Sequence, residues 1–124
     1  MNDAPLGGKS ILVLEDEFLI AMDVEQMCSD AGAADILIIR TVPEAEAALE
    51  QGRRFDAAIV DVMLAGRPTL DFARRLGDAG IPFVFATGYA ENEELATAFP
   101  GVAVVSKPYA GHAIVSALTE TIRS

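Results

Sequence analysis

The chain has 124 residues, a formal net charge of −10 and a hydrophobic fraction of 52%. This length suits one domain, and the hydrophobic content is sufficient for a core, so a disordered chain is excluded. The acidic balance excludes direct binding to nucleic acid or anionic lipid, and no apolar run approaches the ~20 residues that span a bilayer. Because the start of the chain also lacks a signal pattern, we expect a cytoplasmic monomer without nucleic-acid or membrane partners.

Short apolar runs predict five β-strands, at residues 10–15, 35–40, 56–61, 83–87 and 102–106. Each run is almost continuously apolar, which is typical of strands covered on both faces of a sheet. The polar residues 1–9 precede the first run, and we expect them to be flexible.

Helical patterns alternate with these runs, over residues 17–31, from Thr41, from about Thr69, over 90–98 and over 110–122. Gly32 suits the end of the first helix, and Pro43 suits the first turn of the second. Before the third helix, the stretch "MLAGRP" contains Gly66 and Pro68 and predicts an irregular loop.

The alternation of strands and helices predicts an open α/β fold, in which helices cover both faces of a parallel sheet. The carboxyl ends of parallel strands lie along one edge, and ligands bind outside that edge in folds of this kind. With the doubly wound, flavodoxin-like strand order 2-1-3-4-5, four strand ends converge and Arg40 lies at the margin.

Charged and hydroxyl side chains collect at that edge. Glu15 and Asp16 follow the first strand, Asp61 ends the third, Thr87 ends the fourth, and Lys107 follows the fifth. Carboxylates bind divalent cations such as Mg²⁺, while a hydroxyl and an ammonium group contact phosphoryl oxygens. The sequence therefore predicts a site that holds a cation and a phosphoryl group side by side.

These residues, in this order, resemble the receiver domain of bacterial two-component response regulators. The resemblance implies a receiver fold over residues 10–124 with no output domain, so that signalling passes through contacts with other proteins. It implies that Asp61 accepts a phosphoryl group from a sensor histidine kinase. A carboxylate suits this role because it is already ionised at neutral pH.

The resemblance also implies roles for the neighbours of Asp61. Asp16, Asp61 and the backbone carbonyl of Met63 would bind Mg²⁺ directly, and the longer Glu15 would act through a water. Lys107 would pair first with Asp61 and then with the phosphoryl group. Such a protein is a phosphoacceptor switch that assists its own phosphorylation and slow dephosphorylation, and is not otherwise an enzyme.

Two further loop positions take roles from the same resemblance. Thr87 would move toward the phosphate and carry the switch. Pro108 would aim the preceding lysine inward through a cis peptide bond, which proline permits at low cost.

The stretch "PFVFATGY", residues 82–89, is similar to the PFxFATGY signature of single-domain regulators called the FAT GUY family. This implies a kinase of the HWE or a related type and a downstream phosphotransfer or target protein. Gly88 is expected to give the loop after Thr87 freedom, and Tyr89 to place an aromatic group at the same edge.

The chain departs from the common receiver pattern at two positions. Val104 stands where an aromatic switch residue is usual, so we expect Tyr89 or the segment 88–98 to respond to phosphorylation instead. Ala65 stands where a proline is more common, which leaves the loop geometry open. Met63 and Tyr89 are expected to shield the acyl phosphate and to slow its hydrolysis.

The sequence argues against two other kinds of protein and leaves a third open. A phosphatase of the haloacid dehalogenase type needs an aspartate where Met63 stands, and a nucleotide or flavin binder needs a glycine-rich turn after the first strand. A receiver-like protein that binds partners without being phosphorylated stays open as the alternative. Cys28 is expected to be a buried hydrophobe and His112 a solvent-facing residue.

Overall fold

The structure is a computed structural model that describes residues 4–88, 93–107 and 113–123. The predictions for Tyr89, Pro108 and His112 lie outside the described residues. Within the described ranges, none of the helices has the length and apolar character needed to cross a bilayer.

Five parallel strands form the central sheet: β1 (Ser10–Leu14), β2 (Asp35–Ile39), β3 (Ala57–Asp61), β4 (Phe83–Thr87) and β5 (Val104–Ser106). Their order is β2-β1-β3-β4-β5, and every neighbouring pair is parallel. The predicted doubly wound fold and strand order are therefore confirmed, and the carboxyl ends of all five strands lie along one edge.

The strands alternate with α1 (Phe18–Asp30), α2 (Val42–Glu50), α3 (Leu70–Asp78), α4 (Glu93–Ala98) and α5 (Ala113–Arg123). The start of α2 shows why the sequence predicts these boundaries well. Thr41 accepts the backbone N–H of Glu44 at 3.4 Å, and its hydroxyl donates to Glu44 Oε1 at 2.9 Å. This reciprocal arrangement satisfies a helix N–H that has no partner within the helix.

The sheet separates two layers of buried side chains. Leu12 and Leu14 of β1 belong to the layer that packs against α2, α3 and α4, whereas Ile11 and Val13 belong to the layer that packs against α1 and α5. Successive side chains of a strand point to opposite faces, so both faces of β1 are covered. Cys28 lies in the second layer, as expected for a buried hydrophobe.

The residues after β3 form a hairpin, whereas the sequence predicted an irregular loop. Met63–Leu64 pairs antiparallel with Arg67–Pro68, and the hairpin turn between them consists of Ala65, with φ of 50°, and Gly66, with φ of 80°. Both central residues of a two-residue hairpin turn commonly have positive φ, but Asn-Gly or Asp-Gly is the usual sequence. Ala-Gly therefore gives little sequence signal for this turn.

Residues 4–9 are packed, although residues 1–9 were predicted to be flexible. Leu6 is fully buried, and its N–H donates to the carbonyl of Ala31 at 2.8 Å. Gly32 lies beneath this segment with φ of 98°, and a Cβ there would come within 2.5 Å of Ala4 Cβ. A single leucine in a polar segment has no periodicity that would reveal its burial in the sequence.

A carboxylate and lysine site at the carboxyl edge of the sheet

Lys107 joins two strand ends that lie far apart in sequence. Its Nζ lies 2.6 Å from Glu15 Oε1 and 2.7 Å from Asp61 Oδ2. The side chain of Lys107 is 10% exposed and that of Glu15 is 2% exposed, so these ion pairs are largely shielded from water. The structure thus brings together the ends of β1, β3 and β5, as the sequence predicted.

Glu15, Asp16 and Asp61 form a cluster of carboxylates. One oxygen of each lies within 4.8 Å of the others. Each carboxylate also accepts one backbone N–H, and the donors are Glu17 at 3.2 Å, Ala65 at 3.2 Å and Met63 at 3.4 Å, respectively. Carboxylate oxygens are the ligands that Mg²⁺ prefers, so the chemistry of this donor set fits that ion.

Burial and the ion pairs oppose one another in setting the pKa values of the site. Burial raises the pKa of Glu15 above its usual value, although the hydrogen bonds from Lys107 and from the Glu17 N–H oppose that shift. For Lys107, burial lowers the pKa, but the hydrogen bonds to Asp61 and Glu15 outweigh it, and the pKa is raised. The charged form of the lysine is therefore favoured, whereas burial disfavours the charged form of Glu15.

Thr87 lies at the end of β4, next to Lys107. It is buried, and its carbonyl accepts the backbone N–H of Lys107 at 2.8 Å. Gly88 follows it and is exposed; a Cβ at this position would meet nothing within 4 Å. Neither a positive φ nor a close contact therefore requires glycine at position 88 in this conformation.

Met63 begins the hairpin and lies beside Asp61. Its partner in the hairpin is Pro68, which has no backbone N–H. Pro68 therefore donates no hydrogen bond to the Met63 carbonyl. The side chain of Met63 is about half exposed, at 47%. The side chain is thus partly open to solvent, and the backbone N–H of Met63 lies at the Asp61 carboxylate.

Two residues of the site escaped the sequence analysis. The sequence predicts Thr69 only as a helix start, but its buried hydroxyl donates to the carbonyl of Asp61 at 2.6 Å and to that of Val62 at 3.0 Å. Arg40 was placed at the margin, yet its Nη2 donates to the carbonyl of Asp16 at 3.2 Å. Both residues act on backbone carbonyls, and a pattern of side-chain types does not reveal such contacts.

Comparison with known proteins agrees with this geometry, although no protein-family model matches the chain. The phyllosphere-induced regulator PhyR of Methylorubrum extorquens is 36% identical over 83 residues, which are 65% of this chain and 31% of that protein. The solution structure of SdrG from Sphingomonas melonis Fr1 is 31% identical, with a TM-score of 0.78, and the match covers 94% of this chain and 98% of SdrG.

The crystal structure of the response regulator PhyR from Brucella abortus is 30% identical, with a TM-score of 0.78, and the match covers 94% of this chain and 48% of that one. The chain thus spans about a third of the curated relative and about half of the Brucella protein. The near-complete match to SdrG, the likeness to PhyR and the arrangement of strand ends agree with one another. The chain belongs to the response regulator family and has its receiver-domain fold.

Proposed function

We propose that this chain is a phosphoacceptor switch. Asp61 takes a phosphoryl group from the phosphohistidine of a histidine kinase in a Mg²⁺-dependent reaction in the cytoplasm, and the phosphorylated form signals through contacts with other proteins. The observation that supports this most is the position of the Asp61 carboxylate, which lies 2.7 Å from the Lys107 ammonium and beside two further carboxylates. A nucleophile, a cation site and a fixed positive charge are the parts that phosphoryl transfer needs.

The proposed transfer is a displacement at phosphorus. An oxygen of Asp61 forms a bond to phosphorus, the bond from phosphorus to the imidazole nitrogen breaks, and the electron pair stays on that nitrogen, which takes a proton from solvent. Lys107 already contacts the attacking carboxylate, so its ammonium is positioned to contact the phosphoryl oxygens afterwards. Thr87, at the neighbouring strand end, is the residue that we propose moves toward the phosphate.

We assign the Mg²⁺ ligands from the oxygen atoms that lie in the site. Asp16, Asp61 and the Met63 carbonyl would hold Mg²⁺ directly. Both oxygens of Glu15 accept hydrogen bonds, one from Lys107 and one from the Glu17 N–H, which supports an indirect role for that residue. When bound, Mg²⁺ neutralises charge on the phosphoryl oxygens.

The partner surface that we propose lies on α1, next to the site. Phe18, Leu19 and Met22 are large apolar side chains with high exposure at the start of this helix, and Met63 is exposed on the hairpin. Apolar groups at an interface centre carry much of the binding energy. The PFxFATGY motif supports placing the chain among the FAT GUY regulators, with a kinase of the HWE or a related type and a downstream phosphotransfer or target protein.

The proposal is tested by incubating the chain with Mg²⁺ and acetyl phosphate and following its mass. We expect the wild type and Asp71→Asn to gain one phosphoryl group, because Asp71 is fully exposed on α3, and we expect Asp61→Asn to gain none. Modification of Asp61→Asn to the wild-type extent would contradict the proposal. An unmodified wild type that still binds a kinase would support the phosphorylation-independent alternative.

A further inference from the structure

The hairpin after β3 contains a backbone conformation that is unusual for its residue. Ala65 has a φ of 50°, and among the residues described it is the one non-glycine with positive φ. A Cβ disfavours this conformation, which glycine adopts readily. Surrounding contacts must hold such a residue in place, and residues of this kind cluster at functional sites.

The residue in this conformation, Ala65, also makes a contact between the hairpin and the site. The N–H of Ala65 donates to Asp16 Oδ2 at 3.2 Å, across 49 positions of sequence. The main chain of Asp16 is fixed separately, because Arg40 donates to its carbonyl. Asp16 is therefore held at its backbone from the end of β2 and at its carboxylate from the hairpin.

The hairpin is itself anchored at both strands. Leu64 is fully buried in the layer that contains α2 and α3. Thr69 closes the base of the hairpin, with its N–H on the carbonyl of Val62 at 3.0 Å and its hydroxyl on that of Asp61 at 2.6 Å. These contacts hold the hairpin, and with it the N–H of Ala65, in place beside Asp16.

We propose that the backbone N–H of Ala65 is a positioning group for the metal ligand Asp16, holding its carboxylate within the cluster formed with Glu15 and Asp61. The inference rests on the proposed function, in which that cluster binds Mg²⁺. A proline at position 65, which is common in receivers, has no N–H and does not adopt a positive φ. This chain therefore orients its ligand through a contact that a proline at this position would remove.

Calorimetric titration with Mg²⁺ tests the proposal on the full chain. Ala65→Gly keeps the N–H and adopts the same φ, so we expect its dissociation constant to stay within about twofold of the wild type. Ala65→Pro removes the donor, and we expect binding to weaken by about tenfold or more, as is usual when a partner of a metal ligand is lost. A purely structural role would lower the metal-free Tm and leave the dissociation constant unchanged.

Because proline also disturbs the turn, a second variant isolates the hydrogen bond. Replacing Ala65 with L-lactate exchanges the N–H for an ester oxygen and keeps the side chain, and we again expect about a tenfold loss of affinity. Wild-type affinity in this ester variant would overturn the inference and leave the proposed function standing. A wild-type chain that bound no Mg²⁺ would overturn both.

Discussion

At the scale of single residues, the positive charge of Lys107 offsets part of the negative charge of the carboxylates in the site. Three carboxylates lie close together in the site, and Lys107 is hydrogen-bonded to only two of them, Glu15 and Asp61. Two like charges ~4 Å apart repel by about 4 kcal/mol at an effective dielectric constant near 20. Without a bound cation, the Lys107 ammonium and the backbone N–H groups of Glu17, Met63 and Ala65 are the groups that offset this repulsion.

Replacing Lys107 by methionine keeps most of the side-chain volume and removes the charge. We expect the free energy of unfolding of the metal-free protein to fall by about 3 kcal/mol near neutral pH, because the shielded carboxylate of Glu15 loses its partner. Urea denaturation measures this change. Arg54→Met, at an exposed position, is the control, with an expected change below about 0.5 kcal/mol. An equal effect of both substitutions would show that the ion pairs contribute little to stability.

Burial of Cys28 makes the free energy of unfolding depend on pH in the alkaline range. Burial raises the pKa of its thiol from 9.0 to about 11. Because the folded pKa is the higher one, the unfolded chain releases its proton first, so stability is full below pH 9.0 and declines as the pH rises through about 11. The complete loss is about 2 to 3 kcal/mol.

Denaturation curves at several alkaline pH values test this expectation. Cys28→Ala removes the titrating group, so its free energy of unfolding should fall less steeply over that interval, even though the variant starts from a lower value because of the cavity. If the free energy of unfolding fell equally steeply with pH in the wild type and in Cys28→Ala, the pH dependence would not come from Cys28.

At the scale of secondary-structure elements, the accuracy of a predicted strand depends on the kind of sequence signal that predicts it. The bounds of β4 are those predicted, because four apolar residues followed by Thr87 form one continuous buried run. The strand β5 begins two residues later than predicted, at Val104, where its ladder pairing with β4 begins. Apolar runs predict where a strand lies, whereas its first residue depends on pairing with a neighbour.

The sequence likewise predicts some residues of the candidate site and not others. Glu15, Asp61 and Lys107 were found because charged residues at strand ends must share an edge in a parallel sheet. The hairpin and the role of Thr69 were missed, because the hairpin depends on a positive φ at Ala65 and Thr69 acts by donating to a main-chain carbonyl. Side-chain composition contains little information about either feature.

The exposed start of α1 supports a prediction about partner binding. Leu19 is 75% exposed, and a negative charge there should disrupt an apolar contact without disturbing the core. We expect Leu19→Asp to reduce phosphotransfer from a cognate kinase at least about tenfold, since interface anchors contribute 2 kcal/mol or more. Modification by acetyl phosphate should not change.

The face formed by α4, β5 and α5 is the alternative docking surface for a partner, and a second variant distinguishes it from α1. Val104 is 42% exposed on β5, and Val104→Asp introduces the same charge there. Normal transfer to Val104→Asp together with poor transfer to Leu19→Asp would identify α1 as the docking surface. The reverse result would assign docking to the other face.

The whole molecule carries a net charge of −10, and we expect cations to affect its stability both by screening this charge and, under the proposed function, by binding to the carboxylate cluster. Any salt screens general repulsion, whereas a specific site responds to Mg²⁺ alone. We expect Mg²⁺ at a hundred times its dissociation constant to stabilise the chain by about 2.7 kcal/mol beyond NaCl of equal ionic strength. Asp16→Asn should lose this extra stabilisation and keep the response to NaCl. Thermal unfolding in both salts measures the two contributions.

The hydrogen bond between the N–H of Lys107 and the carbonyl of Thr87 has a mechanical consequence for the domain. It lies directly after the paired residues Thr87 and Ser106, so the main chains of β4 and β5 stay linked as far as the candidate site. If the backbone at 87 shifts, residue 107 must travel with it or give up that bond. A backbone movement at Thr87 that keeps this bond therefore carries the main chain of Lys107 with it.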